Sequence, residues 1–147
     1  MATNPLIAQG VLNKLRASIT VQSNAALNIG ASYLGKNMIS MSIDTPTTTQ
    51  IPTQVGLVQS PEPYAEVTIT AHLLRTQGLS ASYKSQTETN TVIGNVIVRP
   101  DSSALPDFQI LNTAIMGIRE LPMDGTDAGF VITLKGYYNI NSDLWNL

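Results

Sequence analysis

The sequence contains no cysteine. That excludes disulfide staples, thiol nucleophiles and cysteine-bound metals. Histidine is nearly absent too: His72 stands alone. A Ser-His-Asp relay would have to run through it, and no Gly-x-Ser-x-Gly elbow accompanies it. A zinc site would be left with carboxylates, which suit zinc poorly. No Gly-x-x-x-x-Gly-Lys or Gly-x-Gly-x-x-Gly loop is available to cradle phosphates. Glu62 and Glu66 are close in sequence, as are Asp124 and Asp127. Glu62, however, sits between prolines, and Asp124-Gly125-Thr126-Asp127 reads as a turn lacking the later ligands of an EF-hand loop. No catalytic, metal-binding or cofactor-binding residue is expected, and the chain reads as a non-enzyme.

Charge is equally scarce. Asp, Glu, Lys and Arg make up 12% of the chain, against about 25% in ordinary soluble proteins, and Ser, Thr, Asn and Gln fill the gap. The net charge is only -2. Disorder is not implied, because disordered chains also lack apolar residues and here the hydrophobic fraction is 43%. A surface this neutral resists self-association poorly, and depletion of charge marks the centres of protein interfaces. The expectation is a building block of an assembly. The eight basic residues are scattered, with only Lys14 and Arg16 close together, so the chain should not grip nucleic acid. No stretch approaches the roughly 20 apolar residues needed to span a bilayer, so no membrane contact of its own is expected. The first residues lack the basic, apolar and small-residue pattern of a secretory leader, which makes the cytoplasm the expected site of folding.

The 147 residues suit one domain with a real core. Residues 1–13 read as an arm carrying sticky side chains, Leu6 and Ile7 among them. From Leu15 to Gln22 the pattern alternates, with Leu15, Ala17, Ile19 and Val21 on the inner side. Residues 23–37 read as a loop or a loose hairpin. A strand follows over Met38–Ile43, with Ile39, Met41 and Ile43 opposite Met38, Ser40 and Ser42. Residues 44–63 form a long Thr/Pro-rich break, which in compact domains is usually functional. Thr48, Val55 and Leu57 lie inside it, and a short edge hairpin is compatible with it. Val67–Leu74 is the clearest strand: Val67, Ile69, Ala71 and Leu73 line one face, Thr68, Thr70 and His72 the other. Leu79, Tyr83 and Thr87 then fall four apart, predicting a helix over residues 76–90 ended by Asn90. Strands follow over Val92–Arg99 and Phe108–Ile118, the latter with Phe108, Ile110, Ala114 and Met116 on one face. After a turn over Pro122–Gly129 the last strand runs Phe130–Ile140, with Phe130, Ile132, Leu134, Tyr138 and Ile140 together. Residues 141–147 form a tail holding Trp145. The fold class is mainly β, an antiparallel sandwich or open barrel with one helix.

The order of these elements resembles the tail tube proteins of contractile-tailed bacteriophages. The likeness is carried by the opening Ala2-Thr3-Asn4-Pro5-Leu6-Ile7-Ala8-Gln9-Gly10, by the strand-to-helix run Val67-Thr68-Ile69-Thr70 through Leu73-Leu74-Arg75-Thr76-Gln77, and by Leu134-Lys135-Gly136-Tyr137-Tyr138. The resemblance implies a structural virion protein that forms six-membered rings. Each subunit would lend strands to a barrel shared between subunits, and stacked rings would enclose a lumen through which DNA passes without specific binding. Sheath, tape measure and baseplate proteins would be partners and the virion tail the location. Leu6, Ile7, Thr48, Val55, Leu57 and Trp145 would then be contacts between rings, and Thr68, Thr70 and His72 would face the lumen. No strand face shows a run of acidic residues, a departure from a strongly negative lumen. The same resemblance admits the tube of a type VI secretion or other contractile injection system, and a tail terminator or baseplate component. A different class, a monomeric sandwich binding a small ligand or carbohydrate, would call for aromatic platforms, and Phe, Trp and Tyr make up only 5% of the chain.

Overall fold

The computed structural model describes residues 9–119 and 121–146, the side chains of Trp145 and Asn146 excepted. The clearest sequence pattern lies at the centre of the sheet. Strand β5 (Tyr64–Leu74) buries Ala65, Val67, Ile69, Ala71 and Leu73 and turns every alternate residue outward. It pairs without a break with β8 (Gly129–Asn139), from Tyr64 opposite Asn139 to Leu74 opposite Gly129. Phe130, Ile132 and Leu134 complete the inner face there. Uninterrupted pairing is what keeps a period-two pattern on one face.

Around this pair lie β1 (Ser18–Val21), β2 (Leu34–Ile43), β6 (Val92–Arg99) and β7 (Phe108–Ile118). The order is β1-β6-β7-β8-β5-β2, every pairing antiparallel. The sheet is curled into half a barrel, so the fold is β-rich with one helix, as expected. A cavity of about 580 Å³ lies between β2 on one side and, on the other, the end of β6 with the segment that precedes β1.

Helix α1 (Gly78–Thr89) follows β5 at once. Its propensity is poor and no side chain caps its start. Packing holds it instead: Leu79 and Tyr83 are buried, and the Tyr83 hydroxyl donates to the Leu27 carbonyl at 2.7 Å. Burial raises the pKa of that hydroxyl, keeping it neutral and able to donate. The helix ends at Asn90, whose N–H reaches the Gln86 carbonyl.

Four expectations need correction. Leu15 is not on the inner face: it is 72% exposed and β1 begins only at Ser18. Asn13 turns the chain there, accepting from the Leu15 N–H through its side chain and from the Arg16 N–H through its carbonyl. Met116 is 61% exposed, whereas Thr113 and Ile115 are buried. The cause is a bulge: Asn112 takes a left-handed φ of 48° and the register with β8 slips between Leu111 and Ala114. One extra residue moves the side chains that follow to the opposite face, until a second slip between Ile115 and Gly117 returns Ile118 to the core side. Residues 23–37 are not all loop, since β2 starts at Leu34 and carries a bulge before Ile39, with Met38 at φ 51°. The break at 44–63 holds a hairpin, but one that forms its own two-stranded sheet, not an edge of the main one.

Gly136 is fixed by space. A Cβ there would stand 2.6 Å from Ile110 Cγ2 and 2.8 Å from both the Leu111 carbonyl and Thr113 Oγ1. The bulge in β7 brings its backbone against β8, so only glycine fits.

Candidate assembly surfaces

Thr68, Thr70 and His72 share the outer face of β5, as the alternation predicts. Cross-strand partners extend that face into a wall: Ser42, Thr68 and Lys135 in one row, Ser40, Thr70 and Thr133 in the next. His72 Nδ1 lies 3.1 Å from the Met38 carbonyl, which the β2 bulge turns toward it. Charge on the wall is sparse and self-cancelling. Lys135 Nζ is 3.7 Å from Glu66 Oε2, both about half exposed. Asp44 accepts from Thr68 and, at 2.9 Å, from Ser42. These hydrogen bonds, the one from Thr68 foremost, hold the Asp44 carboxyl below its usual range, and Lys135 adds to the effect. Chemically the wall offers hydroxyls that exchange hydrogen bonds with water. The lysine in these rows, Lys135, has the Glu66 carboxylate beside it.

The second surface is the hairpin of β3 (Thr48–Pro52) and β4 (Leu57–Pro61). Thr48 pairs with Pro61 and Pro52 with Leu57, so Thr48 and Leu57 share a face, while Ile51 and Val58 lie on the other. Val55 stands at the tip, 98% exposed. The turn is closed by the Thr53 N–H and hydroxyl, both donating to the Gly56 carbonyl at 2.7 and 2.8 Å. Residues 45–61 carry no charged side chain. A two-stranded hairpin exposed on both faces is marginal alone, and this one is tied down at its root. The Glu62 N–H donates to the Thr47 carbonyl, and Asn141 Nδ2 donates to the carbonyls of Glu62 at 2.8 Å and Thr47 at 3.2 Å.

Of the sequence-predicted contacts, the structure gathers Thr48, Val55 and Leu57 on the hairpin. Leu6 and Ile7 lie outside the described residues, as does the side chain of Trp145, whose backbone belongs to a short 3-10 turn at Ser142–Asn146. Asn141 and Asp44, which organise the hairpin root and the wall, carry no local signal in the sequence. Their partners lie 94 and 24 positions away.

The sheet edges differ. β1 is short, and Ile29 caps it with two backbone hydrogen bonds to Ile19. β2 pairs only with β5 among the described residues, leaving the far side of Ile39–Ile43 open. Among the described residues no helix is long and apolar enough to cross a membrane.

No protein-family model matches the sequence, and no curated protein matches it. Among solved structures the chain is similar to the tube-terminating cap of the anti-feeding prophage, determined by cryo-electron microscopy, with a TM-score of 0.52 and 13% sequence identity. The likeness covers 93% of this chain and 97% of that one. At this identity it establishes the fold: a curled antiparallel sheet with one helix, shared end to end with a tube cap.

Proposed function

We propose that this chain is a structural subunit of a contractile tail or related injection apparatus, forming rings that stack into the inner tube. The reading makes it a wall component with no catalytic role. The observation that carries it is the uncharged, apolar-tipped hairpin held out from the sheet, in a chain that shares its fold with a tube-terminating cap. An exposed apolar hairpin is a liability unless another subunit covers it. The open edge of β2 supports the same reading, since continuing the sheet into a neighbour removes the edge. The outer face of β5 and β8 would then line the lumen, with Thr68, Thr70 and His72 on it. Its paired charges would let a polyanion pass without being held.

Rings six subunits around, with sheath, tape measure and baseplate partners, are what the tail-tube resemblance leads us to expect. Electron microscopy of the purified protein tests this: rings or tubes of tail-like width support it. Strict monomers at high concentration and at every salt concentration overturn it. A second reading, a terminating cap, is supported by the structural likeness itself. It expects single rings that join only the end of a preformed tube.

A further inference from the structure

We propose that the cavity between β2 and the end of β6 is a docking site for a segment of a different protein, one that carries several carboxylates around a bulky apolar side chain. The proposal goes beyond the ring reading and does not depend on it, because every residue lining the cavity belongs to one chain.

The fold gathers charge that the sequence scatters. Lys14 precedes β1, Lys36 lies on β2 and Arg99 ends β6, yet all three line this cavity. Arg16 lines the neighbouring depression, which shares Arg99. Half of the eight basic residues thus meet on one flank. The carboxylates there are Asp101 and Asp107. The flank is therefore net positive, in a chain whose net charge is -2. Of the four cations only Arg99 has an ion-pair partner among the described residues, Asp107 at 3.5 Å. Clustered cations repel one another, so a carboxylate set among them relieves that repulsion as well as forming its own pairs.

Below the rim the cavity is apolar. Met38, Ile39, Met41 and Phe108 line it and pack on the hydrophobic core. An apolar side chain entering there extends the core. Methionine is unbranched and flexible, so this floor adapts to apolar groups of several shapes. The volume of about 580 Å³ falls in the roughly 300–1,000 Å³ range of ligand pockets. Nucleic acid fits poorly, because its phosphates would meet the cations and leave the apolar floor empty. Lys36 stands on the β2 side, Lys14 and Arg99 on the other. A small anionic head group would meet one side, whereas a peptide segment spans both.

A second copy of this chain has little free carboxylate to offer. Asp44 accepts from Thr68 and Ser42, Glu62 from Thr49, Asp124 from Thr126 and Asp127 from the Gly129 N–H. Glu66, Glu88 and Asp107 face Lys135, Lys84 and Arg99. Among the described residues Asp101 and Asp143 are the carboxylates without such a donor, and Asp101 already lies on the same rim. The complementary charge must come from another protein.

A random peptide library displayed on yeast and sorted against the purified protein tests this. Enriched peptides should combine Asp or Glu with Leu, Phe, Met or Trp. Bound to methyl-labelled protein, they should shift the Met38 and Met41 resonances, and raising the salt concentration should weaken them. The double variant Lys14→Gln/Lys36→Gln keeps the fold, because both side chains are exposed, and should bind the selected peptides roughly tenfold more weakly. No enrichment, or enrichment of peptides without carboxylates, would overturn the proposal. So would peptides that leave both methionine methyls unmoved, or duplex DNA that binds more tightly than any selected peptide. Self-association of the parent that disappears in the double variant would make the cavity a contact between copies and overturn it as well.

Discussion

The six-stranded sheet and the β3–β4 hairpin are built from the same residue types, yet they differ in what holds them. In the sheet, Ile69 is fully buried between paired strands on a face shared with Val67 and Ala71. In the hairpin, Ile51 is 48% exposed, its cross-strand partner Val58 is exposed too, and neither belongs to the core. Apolar side chains in the first region stabilise the monomer; in the second they do nothing for it. Under the proposed function, what the second region stabilises lies outside one chain.

The sharpest way to break this comparison is to place the same charge in each region. Ile69→Asp should abolish folding, since an unpaired buried charge costs several kcal/mol, a large part of a domain's stability. Ile51→Asp should leave the unfolding free energy from urea titration within about 0.5 kcal/mol of the parent, as exposed substitutions do, while stacked assemblies are lost. Circular dichroism and microscopy read the two outcomes. A folded Ile69→Asp protein would refute the assignment of the core face, and Ile51→Asp tubes of normal length would refute a role for that face of the hairpin.

A smaller effect is expected at the root, where the regions join. Asn141 holds a left-handed φ of 54° and bonds both Thr47 and Glu62. Asn141→Ala removes two hydrogen bonds worth about 1 kcal/mol each. Hydrogen exchange should then quicken over residues 45–61 by about thirtyfold, equivalent to roughly 2 kcal/mol, with amides of β5 and β8 unchanged. Equal loss of protection in sheet and hairpin would show that the two regions are one cooperative unit.

The same contrast explains what was legible in the sequence. The faces of β5 and β8 follow from alternation because their pairing runs without interruption over eleven residues. The helix is legible from Leu79 and Tyr83, four apart, because packing on one face is what maintains it. Met116 is misread because Asn112 shifts the parity of β7, and the bulge depends on a backbone angle that no spacing reveals. The hairpin is legible as a break and compatible with a hairpin, but its separation from the main sheet is not. Thr, Gln and Pro fill it, and the residue that anchors it comes from the far end of the chain. Of the assembly surface, the outward Thr68, Thr70 and His72 are readable. The pocket of Ile118, Leu121 and Phe130 is not readable, because it exists only once α1 and the β7–β8 turn are side by side.

The smallest effect expected is at Asp44, the residue between the end of β2 and the hairpin. Its carboxyl is held low, first by the hydrogen bond from Thr68, then by that from Ser42, with Lys135 contributing. A carboxyl whose pKa is depressed on folding adds stability that is present above the ordinary carboxylate range and is lost as pH falls through the lowered value. Thr68→Val removes the leading cause and keeps a β-branched residue on the outer face of the strand. The Asp44 titration, followed by NMR, should move up toward the usual carboxylate range, and Ser42→Ala should move it less. Stability at neutral pH should fall slightly in Thr68→Val. Below both titrations, where Asp44 is protonated in folded and unfolded chains alike, the carboxylate's share of that difference should vanish. An Asp44 titration unmoved by Thr68→Val would mean that the junction is not organised by this hydrogen bond, and the hairpin would then be positioned from its Asn141 side alone.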